Sequence, residues 1–225
     1  MSKFSVARAV LSLLALVSPA AAVQVLDQVH NPPTIGVAAG VSGDVMQGQV
    51  FQIGITGTLT QLDVLGLAIN VGTNLQLDIR KVNPLSTSVG HPPSSNPLDV
   101  LFATTVTTLP SVSPGAGNFT SIPLSVPVTA GEQLAFVFHL DGNPGSATLY
   151  GGPIISDGYV PGNQWTYGNP LINSGSWYPN GNTGLLTDLA FQTWVTEVPE
   201  PAALGSLGLL TAALLRRRAR QKGRA

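Results

Sequence analysis

The sequence predicts an all-β fold, an antiparallel jelly-roll sandwich, and three observations carry that expectation. Only 9% of the 225 residues are charged, too few to clothe the exposed faces of several amphipathic helices. Turn formers are abundant instead, with 25 Gly and 18 Pro, alongside many Val, Thr and Leu suited to a pleated surface. Apolar residues also recur at every second position in short runs, the period of a half-buried strand.

Taken in chain order, the first element is an address. Lys3 and Arg8 form a basic n-region, Ala9 to Val17 an apolar h-region, and Ala20-Ala21-Ala22 a small-residue cleavage site. This predicts a secretory signal peptide over residues 1–22, cut between Ala22 and Val23. The apolar run is too short to span a bilayer and ends in Ser18-Pro19, which argues against a retained membrane helix.

Residues 23–197 form the predicted sandwich domain. Phe51, Ile53 and Ile55 alternate with polar or small residues, as do Leu75, Leu77 and Ile79, while Leu134, Phe136, Phe138 and Leu140 share one face opposite Ala135, Val137 and His139. Further strands are expected over 58–67, 98–107, 119–126, 147–150 and 189–195. Breakers such as Asn83-Pro84, His91-Pro92-Pro93, Pro114-Gly115 and Asp141-Gly142-Asn143-Pro144-Gly145 separate them. No 20–50-residue repeat is visible, which argues against a solenoid or propeller.

The charge is sorted along the chain. The net charge is −1, but residues 23–200 hold Arg80 and Lys81 against all eleven acids, a local −9. Such an acidic body predicts no nucleic-acid partner, because phosphate binding needs clustered Lys and Arg. It also favours neutral glycans over anionic polymers as ligands.

Catalytic chemistry is sparse. The body has three His, no Cys and only two Glu before position 198, and no Gly-x-Ser-x-Gly elbow occurs. His30 and His91 precede Pro-bearing turns, His139 lies in a strand, and Glu132 follows Ala130-Gly131 in a turn. The reading is therefore non-enzymatic, with no catalytic residues; paired carboxylates of a hydrolase would meet only in three dimensions. No cofactor and no metal site is predicted. Asp141-Gly142-Asn143 and Asp157-Gly158 are turn dipeptides first and structural calcium ligands second. The Thr runs 58–60 and 104–108 are isolated and do not form the regular ranks of an ice-binding face.

Every Trp and Tyr falls between Tyr150 and Trp194. Trp165, Trp177 and Tyr178 sit among Gly, Asn, Pro and Ser and read as loop-borne. An aromatic ring covers the apolar face of a sugar and amides bond its hydroxyls, so these three are the candidate glycan-binding residues. Trp194, alternating with Gln192 in a strand, reads as structural. The competing reading for each ring is simple packing under a loop.

The last element has three ordered parts: Val198-Pro199-Glu200-Pro201, the apolar run Ala202 to Leu215, and a basic tail with Arg216, Arg217, Arg218 and Arg220. The apolar run is 14 residues, about 21 Å as a helix against a hydrocarbon core of about 30 Å. Counting from Val198, with snorkelling Arg side chains and local thinning, the expectation is one C-terminal transmembrane helix. The Arg cluster acts as the stop-transfer signal on the cytoplasmic side, leaving residues 23–198 outside.

This three-part tail resembles the PEP-CTERM protein-sorting signal, also catalogued as the C-terminal segment of some ice-binding proteins; the resemblance covers about Val198 to Arg220. It implies an exosortase as partner, a membrane-embedded cysteine transpeptidase that recognises Val198, Pro199, Glu200 and Pro201 as a substrate motif. It further implies a transient inner-membrane anchor in a Gram-negative bacterium, then a place at the cell surface or in the exopolysaccharide matrix. The body, through pieces such as Gly48-Gln49-Val50-Phe51-Gln52, Leu75 to Arg80, Val128 to Val137 and Asp188 to Thr193, resembles secreted bacterial galactose-binding-like modules. That resemblance implies a jelly roll and no particular ligand. The expected function is an exported, non-enzymatic envelope or matrix protein with weak polysaccharide binding. The alternatives are a secreted carbohydrate-active hydrolase and a purely structural surface protein.

Overall fold

The computed structural model describes residues 22–32, 37–65, 68–69, 74–85, 91–106, 119–140, 145–151, 159, 162–168, 175–179 and 188–197. The expected signal peptide up to residue 21, the expected sorting motif, the apolar run and the basic tail lie outside the described residues, as do both candidate calcium turns. Residues Gln24–Glu197 make up one compact unit.

That unit is all-β and antiparallel. In chain order the strands are β1 (Gln24–His30), β2 (Val37–Ser42), β3 (Val45–Gln52), β4 (Gly57–Leu65), β5 (Ala68–Ile69), β6 (Leu75–Lys81) and β7 (Val100–Val106). They continue with β8 (Phe119–Val128), β9 (Gln133–Leu140), β10 (Ser146–Gly151), β11 (Gln164–Gly168), β12 (Trp177–Pro179) and β13 (Phe191–Glu197). A short 3-10 turn over Pro97–Asp99, capped by the Asn96 side chain, leads into β7. One sheet has four strands in the order β1-β13-β4-β8; the other has nine, with β5-β10-β2-β3-β9-β6-β7 as its main path and β11 and β12 added beside β3.

The two sheets bury one shared core, which makes the unit a β-sandwich. Leu59, Leu62, Ile122, Val126, Phe191 and Val195 come from the four-stranded sheet, and Phe51, Leu75, Leu77, Leu134, Phe136 and Phe138 from the other. Rings lock this core edge to face: Phe136 meets Phe191 at 5.4 Å and Phe138 at 6.0 Å. The expected face of β9 is therefore the core face, because a period of two sends Leu134, Phe136, Phe138 and Leu140 to one side.

Four strand pairings carry register shifts, three of them in the four-stranded sheet: β1 with β13 between Leu26 and Gln28, β4 with β8 between Leu59 and Gln61, and β13 with β4 between Trp194 and Val195; the fourth is β6 with β7, between Ile79 and Arg80 in the larger sheet. Bulges sharpen the twist and bend the strands around the core. Gly57 opens β4 where a Cβ would collide with the Thr196 carbonyl, so the close approach of β13 requires the missing side chain. Where β9 begins, Gly131 takes φ 87° in the turn Thr129 to Glu132, closed by Glu132 N–H donating to the Thr129 carbonyl at 3.0 Å.

Two strand expectations need correction. The strand read from Phe51 to Ile55 in fact ends at Gln52 and begins at Val45. The segment around Trp165, Trp177 and Tyr178, read as loops, contains the antiparallel ribbon of β11 and β12. Its flanking Gly, Asn and Pro residues masked two very short strands.

Candidate functional site

On the nine-stranded sheet, the face turned away from the core carries its own hydrophobic cluster of Val50, Ala135, Val137 and Trp165, with Met46, Val82 and Trp177 packed against it. Sequence dictates the arrangement: Val50 and Phe51 point to opposite faces of β3, and Trp165 stands directly across from Gly48. Pro93 crowds the same glycine, since a Cβ there would lie 3.0 Å from the Pro93 ring.

Trp165 is accordingly only 1% exposed and belongs to a packed cluster, with no open ring face for a sugar. Trp177 is half-buried, 5.2 Å from the Tyr167 ring. Tyr178 is also half-buried, but it pairs with Thr166 while Trp177 pairs with Tyr167, so the two neighbours point to opposite faces of the ribbon. The structure brings Trp165 and Trp177 together and leaves Tyr178 apart. The buried indole N–H groups of Trp165 and Trp177 have no hydrogen-bond partner among the described residues.

Beside this cluster, β6 and β9 place titratable side chains on the same outer face. Asp78 and Arg80, two apart on β6, form an ion pair, and His139 Nε2 lies 3.1 Å from Asp78 Oδ2. Arg80 also donates to the Ser94 carbonyl at 3.2 Å, and the Ser94 hydroxyl to Asp99 at 2.7 Å. Burial pushes the Asp78 carboxyl up, but hydrogen bonds from His139 and Arg80 and their charges outweigh it, and its pKa falls below the ordinary 3.8. The Ser94 hydroxyl bonds a carboxylate and no imidazole, so the group lacks the linked nucleophile and base of an acyl-transfer site. Its chemistry is mutual neutralisation: the guanidinium holds β6 to the segment after His91.

Between the sheets lies a polar network. The Gln47 carbonyl oxygen accepts from Gln164 at 3.1 Å and Thr166 at 2.9 Å; Gln49 donates to Asp188 at 2.9 Å and accepts from Leu189 N–H at 2.9 Å; Asp188 also accepts from Tyr159 N–H at 3.0 Å. These bonds satisfy polar groups that would otherwise be costly inside a core. Tyr159 ties the two sheets together, donating to the Gln28 side chain of β1 at 3.0 Å and accepting from Gln52 N–H of β3 at 3.2 Å. Burial raises its phenol to about 12. Asp27, also raised by burial, accepts from Gly54 N–H at 2.9 Å.

On the outer face of the four-stranded sheet, Trp194 donates its indole N–H to Asp63 at 2.7 Å and Gln61 donates to the other oxygen at 2.8 Å. Trp194 is structural in that sense, and the Asp63 partnership is a feature the sequence reading missed. Asp63 and Trp194 are remote in sequence and only the pairing of β4 with β13 joins them. The Asp78–Arg80 pair was legible as an i, i+2 match on one strand face. Among the described residues no group of three or more His, Cys, Asp or Glu is placed to hold a metal ion.

The two ends of the unit meet in one ladder. Gln24 pairs with Thr196, and Thr196 with Thr58 on its other side, so the chain enters the sandwich beside the point where it leaves. Ala22 and Val23, flanking the expected signal cut, are exposed. Compared with known proteins, the chain matches no family model and no curated sequence.

Proposed function

We propose that this chain is an exported, non-enzymatic β-sandwich protein of a Gram-negative envelope or exopolysaccharide matrix, delivered through its C-terminal tail by an exosortase-type transpeptidase. One observation carries the reading: a proline-bracketed glutamate at Pro199-Glu200-Pro201, an apolar run and an Arg cluster follow in order in a chain whose residues 1–22 have the pattern expected of a secretory signal. The jelly-roll reading of the sandwich is supported by the way the chain alternates between sheets. β3 lies in the nine-stranded sheet, β4 in the other, and β8 and β13 likewise stand among strands of the opposite sheet.

Weak binding of neutral polysaccharide is part of the proposal, with Trp177 and Tyr178 as the rings that keep exposed surface. Export in the native host tests the sorting claim. Replacing the motif by Pro199→Ala, Glu200→Gln and Pro201→Ala is expected to leave the product membrane-bound with its tail attached, whereas release at the normal rate would overturn the claim. Affinity electrophoresis of the exported protein in neutral glucan or galactan gels tests the second part. Retardation that Trp177→Ala or Tyr178→Ala abolishes supports it; equal mobility with and without polysaccharide leaves a structural surface protein without ligand.

A further inference from the structure

All four strands of the smaller sheet share one end. β1 starts there at Gln24, β13 ends there at Glu197, β4 starts at Gly57 and β8 ends at Val128, in the register Gln24↔Thr196, Thr196↔Thr58 and Thr58↔Pro127. Only Val198 to Pro201 separate β13 from the apolar run that begins at Ala202. Four residues reach at most about 14 Å when fully extended.

The outer face of the β1–β13 ladder is apolar in its middle. Leu26 is 43% exposed and stands directly across from the half-buried Trp194; Val29, 50% exposed, stands across from Gln192. Register forces this, because Val25, Gln28 and His30 oppose the core-facing Val195, Thr193 and Phe191, so Leu26 and Val29 turn outward. The described residues of the four-stranded sheet include no Lys or Arg. Anionic partners gain nothing there, whereas two exposed aliphatic side chains beside an amphipathic indole suit the zone between headgroups and acyl chains.

We infer that the outer face of the β1–β13 ladder, with Leu26, Val29 and Trp194 at its centre, is the surface this protein presents to the lipid bilayer while its tail is still inserted. The inference rests on the membrane anchoring proposed above; its own content is the orientation. The sandwich lies against the interface through its β1 edge, and the β6–β7 side of the larger sheet faces away from the lipid.

The absence of Cys from the chain makes the test clean. Leu26→Cys, Val29→Cys and, as control on β7, the 40%-exposed Leu101→Cys are each labelled with an environment-sensitive dye on the full-length protein. Each is reconstituted into phosphatidylcholine–phosphatidylethanolamine vesicles containing spin-labelled lipid. The expected result is quenching at 26 and 29 that exceeds that at 101 by roughly twofold or more. Equal quenching at the three sites in protein that floats with the vesicles overturns the orientation alone. Failure to float overturns the anchoring and the orientation with it. A spectral change at position 26 that needs no vesicles and grows with protein concentration assigns the surface to a second copy of the chain and also overturns the inference.

Discussion

β8 and β9 sit in opposite sheets, and their burial differs in a way that sequence alone does not reveal. β8 alternates strictly, with Ile122, Leu124, Val126 and Val128 buried and Ser121, Pro123, Ser125 and Pro127 exposed. β9 buries five residues in a row, Leu134 to Phe138. β8 thus turns one face to the core and the other to solvent. The centre of the nine-stranded sheet is covered on both faces, by the shared core on one side and by the Trp165 cluster on the other. A ring that sequence places on a loop, available to a ligand, thus works as the cap of a second, smaller core.

The substitution that breaks this comparison most directly is Trp165→Ala. As a packed side chain it is expected to cost about 3–5 kcal/mol, read from urea or thermal unfolding. A cost within about 0.5 kcal/mol would mean that the ring is a surface group after all. Asp78→Ala comes next, at about 2–4 kcal/mol, because it leaves the 9%-exposed Arg80 without its carboxylate. The same pair predicts a pH dependence. The Asp78 pKa is lowered on folding, so its contribution is present above the ordinary value of 3.8 and is lost as pH falls through the folded value. Asp78→Ala should lose that part of the acid-limb decline.

Tyr159→Phe has a smaller effect at neutral pH, about 1–2 kcal/mol, from its two hydrogen bonds between the sheets. It also has a separate signature at high pH. The phenol is raised from 10.0 to about 12, so its stabilising contribution is whole below pH 10 and lost as pH climbs through 12. The variant should show a flatter alkaline limb, and an unchanged limb would place the phenol outside the interface between the sheets. The smallest effect belongs to the solvent face of β8. Ser125→Ala should change stability by no more than about 0.5 kcal/mol, which sharpens the contrast with the doubly covered β9.

The same contrast explains what could be read from the residues beforehand. β6, β8 and β9 were legible because each carries a run of strong apolar residues at period two. β1 was not. Its extra residue at Asp27 shifts the period in mid-strand, and the result, Gln-Val-Leu-Asp-Gln-Val-His, matches neither template. β2 is Val-Ala-Ala-Gly-Val-Ser, too small to stand out, and β11 and β12 are short and bounded by turn formers. The glycan candidates were chosen on composition, which reports residue type and not which side of a sheet a residue faces. Trp165 and Tyr178 parted company on that point alone. The Asp63–Trp194 and Asp188–Gln49 bonds span more than a hundred residues, and no local pattern encodes them.

Export and tail removal are the centre of the account, and the intact mass of the protein taken from the cell surface tests them most directly. The predicted species begins at Val23 and has lost everything beyond the Pro199 region, including Arg216 to Ala225. Recovery of the complete 23.2 kDa chain from the cytosol, with both ends in place, would contradict it.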